Sequence, residues 1–261
     1  GGEAAPDPPP PLRDDPAPGC SLDAPLPAAV PPDADAETLH ALGQERILER
    51  DGAAAVAILA RAERAAPDDP EILGDLATAL LQCRIRSEAL ARIERAVELA
   101  PDSVDLVANL AQIYQILERF ADSARTYRRA IELAPDDAAL HNNLAVVLVV
   151  ERDLESAEAA ARRAVSLEPR RVAYLVNLAF VLYRAERYAD AEVIARRAIE
   201  VDPESADAHN QLGLVLVAEK RAAEAAEEFH RALELDPDHR AAKENLRAVG
   251  DRFDIIGPWK R

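Results

Sequence analysis

Four side-chain amides recur at one interval. Asn109, Asn143, Asn177 and Gln211 stand 34 residues apart. Each offers two N–H donors and an acceptor oxygen, so a row of them could pair with the N–H and C=O groups of an extended backbone. Three such hydrogen bonds, at about 0.5–1.5 kcal/mol each, fall short of the roughly 8 kcal/mol of micromolar binding. Apolar anchors must stand beside them. Val146 and Val149, Phe180 and Tyr183, and Leu214 and Val217 follow the last three amides at offsets of three and six residues. The run Ala145–Val150 is apolar almost all round. A helix of that kind must be covered on every side, by a partner or by its own neighbours.

Other reactive residue types form no constellation. The histidines are His40, His141, His209, His230 and His239. His141 and His209 share a register, but Leu175 holds the position between them, too wide a gap for one metal. There is no Gly-rich phosphate loop, His-Glu-x-x-His, paired-cysteine motif or nucleophile elbow. No catalytic residue, metal site or cofactor is expected, which favours a binding scaffold over an enzyme. Cys20 and Cys83 are too few for a disulfide framework or a cysteine zinc site, but could form one bridge in an oxidising compartment. A net charge of −17 over 261 residues argues against nucleic-acid binding and docking on anionic lipid. No run of eighteen apolar residues exists to insert into a membrane.

The elements that must position these groups follow from a repeat. Pro67, Pro101, Pro135, Pro169, Pro203 and Pro237 are 34 residues apart. With each proline as position 32, the units run 36–69, 70–103, 104–137, 138–171, 172–205 and 206–239. Position 7 is always leucine, from Leu42 to Leu212. Position 8 is Gly43, Ala77, Ala111, Ala145, Ala179 or Gly213. Position 20 is alanine except at Ser123, and position 27 is always alanine. Each unit reads as two amphipathic helices, and one unit cannot bury its apolar faces alone. Small residues at positions 8 and 20 are expected to face each other. The proline should end the second helix. Asp68, Asp102, Asp136 and Asp238 suit the start of the next helix, where Arg170 and Arg171 break the rule.

The pattern resembles the tetratricopeptide repeat family over about 200 residues. The resemblance implies an all-α, right-handed α-solenoid whose first helices line a concave surface through positions 2, 5, 6, 9, 12 and 13. Family members that hold extended peptides use asparagine at position 6, where it also serves inter-repeat hydrogen bonding. The family's basic position 26, here Arg61, Arg95, Arg129, Arg163, Arg197 and Arg231, lies away from the groove as a solvated row with local ion pairs. The first repeat departs most, with Arg46 at a large-apolar position.

The flanks complete the organisation. Residues 1–35 hold eleven of the nineteen prolines and seven acids against one base, the composition of a disordered acidic tether. Residues 240–249 read as a capping helix, with Ala241, Ala242, Leu246 and Val249 facing inward and Gly250 as its stop. Residues 250–261 form an aromatic tail whose Phe253, Ile255, Ile256 and Trp259 are costly to expose and suit an interface. The chain holds no methionine, so Gly1 is not a translation start and a segment is expected upstream. An extracytoplasmic setting fits these features, with the cytoplasm as the alternative. The expected function is a scaffold holding a partner protein or peptide in the groove of repeats three to six. The alternative is a structural subunit that self-associates through its tail or solenoid ends.

Overall fold

The computed structural model describes residues 14–253. Among them the regular structure is thirteen α-helices and no strand. The chain divides into two units, residues 1–133 and 134–261. The first holds α1 (Ala36–Leu48), α2 (Gly52–Ala65), α3 (Pro70–Gln82), α4 (Arg86–Leu99), α5 (Val104–Ile116) and α6 (Phe120–Leu133). The second holds α7 (Ala138–Val150), α8 (Leu154–Leu167), α9 (Val172–Arg184), α10 (Tyr188–Val201), α11 (Ala206–Ala218), α12 (Ala222–Leu235) and α13 (Arg240–Phe253). Each unit is an all-α solenoid of stacked helical hairpins, three in the first and three plus α13 in the second.

Local chemistry sets both kinds of turn. Within a hairpin the first helix ends in a Schellman motif. In repeat one, Arg50 N–H donates to Ile47 O and Asp51 N–H to Arg46 O, both at 3.0 Å. The pivot residue is left-handed, and in all six repeats it is charged: Arg50, Arg84, Glu118, Arg152, Glu186 and Lys220, with φ between 58° and 66°. Between repeats, the residue before each proline leaves the helical region. Ala66, Ala100 and Glu168 lie at ψ 72–78°, as a following proline demands.

The first-helix caps fall one residue later than expected. Asp69, Ser103, Asp137 and Ser205, at position 34, accept from the first-turn amides. Position 33 lies in the turn, and Asp68 and Asp136 pair instead with Arg95 and Arg163 at 3.1 and 2.6 Å. Arg171, at position 34 of repeat four, makes no side-chain cap.

Helix approach within a hairpin explains the small residues. Ser123 Oγ donates to the carbonyl of Ala111 at 2.7 Å, so positions 20 and 8 do meet. The position-8 side-chain direction, however, points at position 24. A Cβ on Gly43 would lie 2.4 Å from Leu59 Cγ, and one on Gly213 would lie 2.5 Å from the Phe229 ring. Glycine stands at position 8 in the two repeats whose position 24 is Leu59 or Phe229. Where position 24 is Ala161 or Ala195, position 8 is alanine, and it is alanine also in the repeats with Ile93 and Tyr127, so a bulky position 24 does not by itself require glycine.

Residues 14–35 are not a free tether. Leu26, Val30 and Ala34 pack against the buried cluster of Leu39, Ile58, Ala62 and Ile72. Arg64 donates to Leu22 O at 2.9 Å and pairs with Asp23 at 2.6 Å, and Arg61 donates to Pro32 O at 2.8 Å. Under this strap α2 is buried continuously from Ala55 to Ala60. The strap therefore closes the upstream end, and Asp35 caps α1 through Thr38 N at 2.8 Å. Composition misjudged it because rigid proline backbone loses little entropy on ordering, and its carbonyls find arginine donors. Cys20 is bridged to Cys83. Residues 1–13 lie outside the described residues. In repeat one, Arg46 pairs with Glu45 and Glu49 at 3.0 and 2.5 Å.

At the other end, Ala242 and Val249 are buried and Leu246 packs on the Phe229 cluster. Ala241, expected inward, is exposed, and α13 runs through Gly250 to Phe253 rather than stopping. Glycine alone does not end a helix whose amphipathic face is still packed. Ile255, Ile256 and Trp259 lie outside the described residues, as does the side chain of Phe253.

Candidate functional site

The position-6 amides sit on the first helices, and the structure separates their roles. Asn177 Nδ2 donates to Asn142 Oδ1 at 2.8 Å, and Asn142 Nδ2 reaches Asn143 Oδ1 at 3.4 Å. Asn245 Nδ2 donates to Asn210 Oδ1 at 3.0 Å. In the first unit His40 Nε2 meets Asp75 Oδ2 at 2.7 Å. Apart from the Asn142–Asn143 contact within one repeat, these links join position 5 of one repeat to position 6 of the next, 35 residues on. The pairing of His40 with Asp75, Asn142 with Asn177, and Asn210 with Asn245 was written in the sequence, although the 34-residue row drew the eye. Where position 5 is Val176, no side-chain acceptor exists for Gln211. Its Nε2 is buried without a hydrogen-bond partner.

Asn143 thus spends its oxygen on Asn142 and keeps its amide donor. Asn177 spends one of its two N–H donors and keeps the other along with its oxygen. Both side chains are half-buried, as is Asn109 on α5 of the first unit, whereas Gln211 is only 4% exposed.

The apolar positions divide in the same way. Val146, Phe180, Tyr183, Leu214 and Val217 are half-buried. Val149 is 1% exposed and belongs to the interior. Within the apolar run of α7, Ala145, Val147, Leu148 and Val149 are all buried. Only Val150 stays half exposed. Val149 and Gln211 are therefore not presented to a partner. Leu214 and Val217 lean on the cluster around Phe229 and Leu216. Tyr183 lies against Tyr188 with ring centroids 5.9 Å apart, and the Arg184 guanidinium sits 5.7 Å from the Phe180 ring centre. A cation over an aromatic face is held by the ring quadrupole.

The second helices carry a different chemistry. Position-26 arginines reach back to the preceding junction: Arg129 to Pro101 O at 2.6 Å and Arg197 to Pro169 O at 2.8 Å. His141 and His209 donate from Nε2 to Pro135 O and Pro203 O at 2.9 and 3.2 Å, from the opposite helix. These side chains fix the turns. Glu158 is held by Arg162 and Arg187, and Glu192 by Arg196 and Arg221. Burial would raise both carboxyls, but the guanidinium hydrogen bonds win and hold them below the usual glutamate range. Tyr114, in the first unit, is pushed up to about 12 by burial and by its hydrogen bond to Glu94. Among the described residues no His, Cys, Asp and Glu group could hold a metal ion, and no helix is long and apolar enough to cross a membrane.

Comparison with known proteins agrees with this architecture. The family described as the cilia and flagella-associated protein 70 middle TPR-like domain matches residues 107–218, and the tetratricopeptide repeat family matches residues 206–239. A comparison with curated proteins found no match. Among solved structures, the fold resembles YrrB, described as a TPR protein with an unusual peptide-binding site. That likeness has a TM-score of 0.55 and 21% identity, covering 72% of this chain and 97% of that one. It resembles the pilF protein of Pseudomonas aeruginosa at TM-score 0.67 and 14% identity, covering 82% and 97%. A tetratricopeptide repeat protein from Parabacteroides merdae gives 0.66 and 15%, covering 82% and 84%. At these identities the likeness is one of fold. By its 34-residue pattern, its family matches and its stacked helical hairpins, the chain is a tetratricopeptide repeat protein.

Proposed function

We propose that this chain is a non-catalytic scaffold that holds an extended segment of a partner protein along α7, α9 and α11. The observation that carries this reading is the pair Asn143 and Asn177. Their links to Asn142 leave the two N–H donors of Asn143, and one N–H and the oxygen of Asn177, beside half-buried Phe180. An extended backbone presents a C=O and an N–H that match them. Two hydrogen bonds supply only about 1–3 kcal/mol, so Val146, Phe180 and Tyr183 must contribute the rest by burial. The peptide site named for YrrB is consistent with this use of the fold.

Peptides selected on the intact protein from a displayed random library provide the test. Phe180→Asp should weaken the selected peptides at least about tenfold, which is 1.4 kcal/mol. Asn143→Ala with Asn177→Ala should weaken them several-fold. Unchanged affinity in both variants rules the reading out. An extracytoplasmic setting remains the proposed location, supported by the Cys20–Cys83 bridge, since such bridges persist in oxidising compartments. Thiol trapping of protein from its native source tests this, and a fully reduced pair would refute it.

A further inference from the structure

We propose that the Cys20–Cys83 bridge is a thiol-operated latch, which fastens residues 14–21 across the second repeat and opens to a dithiol reductant. The strap is held in two unlike ways. Residues 22–35 bury Leu26, Val30 and Ala34 and receive Arg61 and Arg64, so they dock without the bridge. Residues 14–21 bury no large apolar side chain. Asp14, Asp15, Pro16, Pro18, Gly19 and Ser21 are exposed. Besides the bridge, this part has Ala17 N–H on Cys83 O at 3.0 Å, the Asp14 contacts to Ser87, and Arg84 at 3.9 Å from Asp15.

Closing the latch completes a helix. The N-cap of α4 is Ile85, which has no side chain able to accept. Asp14 fills the role from 73 residues away: Ser87 N–H donates to Asp14 Oδ1 at 3.0 Å, and Ser87 Oγ donates to the other oxygen. In repeats one and four the equivalent caps are local, Asp51 and Asp153. The bridge thus carries a distant carboxylate to a helix end that lacks its own.

The exchange chemistry fits the burial. Cys83 is fully buried and Cys20 half-buried, so Cys20 is the more accessible half of the bridge. One thiolate of a dithiol attacks Cys20 Sγ, forming a mixed disulfide and expelling Cys83 as a thiolate, which takes up a proton. The second thiol resolves the mixed disulfide. The dithiol leaves oxidised to its own disulfide, and Cys20 and Cys83 remain as thiols. Opening then strips the cap from α4 and uncovers Cys83 at the end of α3.

Amide hydrogen exchange on the full chain tests this, comparing the oxidised protein, the protein in dithiothreitol, and Cys20→Ser. Reduction and the substitution should each speed exchange at Ala17 and Ser87 by at least about tenfold, a local opening. Val30 and Ala34, bonded to Pro27 O and Pro31 O, should keep their protection. Asp14→Ala with the bridge intact should free Ser87 alone. Three results overturn the proposal: unchanged Ala17 and Ser87 protection after reduction, a bridge that resists dithiothreitol until the chain unfolds, or loss of Val30 and Ala34 together with Ala17.

Discussion

Gly213→Ala isolates the close approach of α11 to the Phe229 ring. The new Cβ would lie 2.5, 2.7 and 2.9 Å from three carbons of the Phe229 ring. Carbon atoms settle near 3.5–4.0 Å, so the ring must move by roughly 1 Å. Phe229 is fully buried, packed with Ala179, Ala195, Leu212 and Leu216. Overpacking of this kind costs about 1–3 kcal/mol. Against it stands a helix-propensity gain of about 1 kcal/mol for replacing an interior glycine by alanine. Gly250 supplies the control, because it is helical and a Cβ there meets nothing within 4 Å. Gly250→Ala should stabilise by roughly 0.5–1 kcal/mol, while Gly213→Ala should destabilise by up to about 2 kcal/mol. Urea denaturation with far-ultraviolet dichroism measures both. Adding Phe229→Leu to Gly213→Ala should recover part of the loss, with a coupling energy of at least about 1 kcal/mol. If Gly213→Ala stabilises as much as Gly250→Ala, the argument that the Phe229 ring excludes a Cβ at position 213 is refuted.

Three further outcomes follow from local geometry. Arg152→Gly, at φ 62°, should stabilise by about 0.5–1 kcal/mol in thermal melts by relieving the left-handed pivot. A destabilised variant would show that the arginine side chain matters more than its backbone. Arg171→Asp should add the missing cap of α9 and gain about 0.5–2 kcal/mol, with an unchanged melting temperature counting against it. Glu158 and Glu192 titrate lower in the folded state, so their contribution is full above the ordinary glutamate value and lost as pH falls through the depressed one. The melting temperature should accordingly be flat from neutral pH to about 5 and fall below about 4.3. The double variant Glu158→Gln, Glu192→Gln should melt lower at pH 7 and show a shallower acid decline. A decline as steep as that of the parent chain would contradict the assignment.

The repeat was legible because its signals are local. A proline two residues beyond each second helix, leucine at position 7 and alanine at position 27 each act within a turn or two of their own place. The cap position was misjudged by one residue because Pro67 and its equivalents push Asp68 and Asp136 into the junction, where arginines take them. The strap was not legible. Its partners lie between 29 and 73 residues away, at Arg61, Arg64, Cys83 and Ser87, and no window of composition sees them. The candidate site was half visible. Phe180, Tyr183, Asn143 and Asn177 keep exposed surface on first helices. Val149 and Gln211 share their register but are turned into the packing, since neighbours on both sides decide how much of each position survives.

The cap that Asp14 lends to α4 also fixes an order of assembly. During synthesis Asp14 and Cys20 are made well before the partners they need. Cys20 has no thiol to join until residue 83 exists, and Asp14 has no helix end to fill until Ser87 does. The part of the strap made first is therefore placed only after the first hairpin, α3 and the first turn of α4 have followed it out of the ribosome. With one other cysteine in this sequence, that late closure has a single intramolecular product. Bridge formation in a nascent-chain series should switch on as the chain lengthens past α3, making the bond a timestamp for when that helix has packed on the first hairpin.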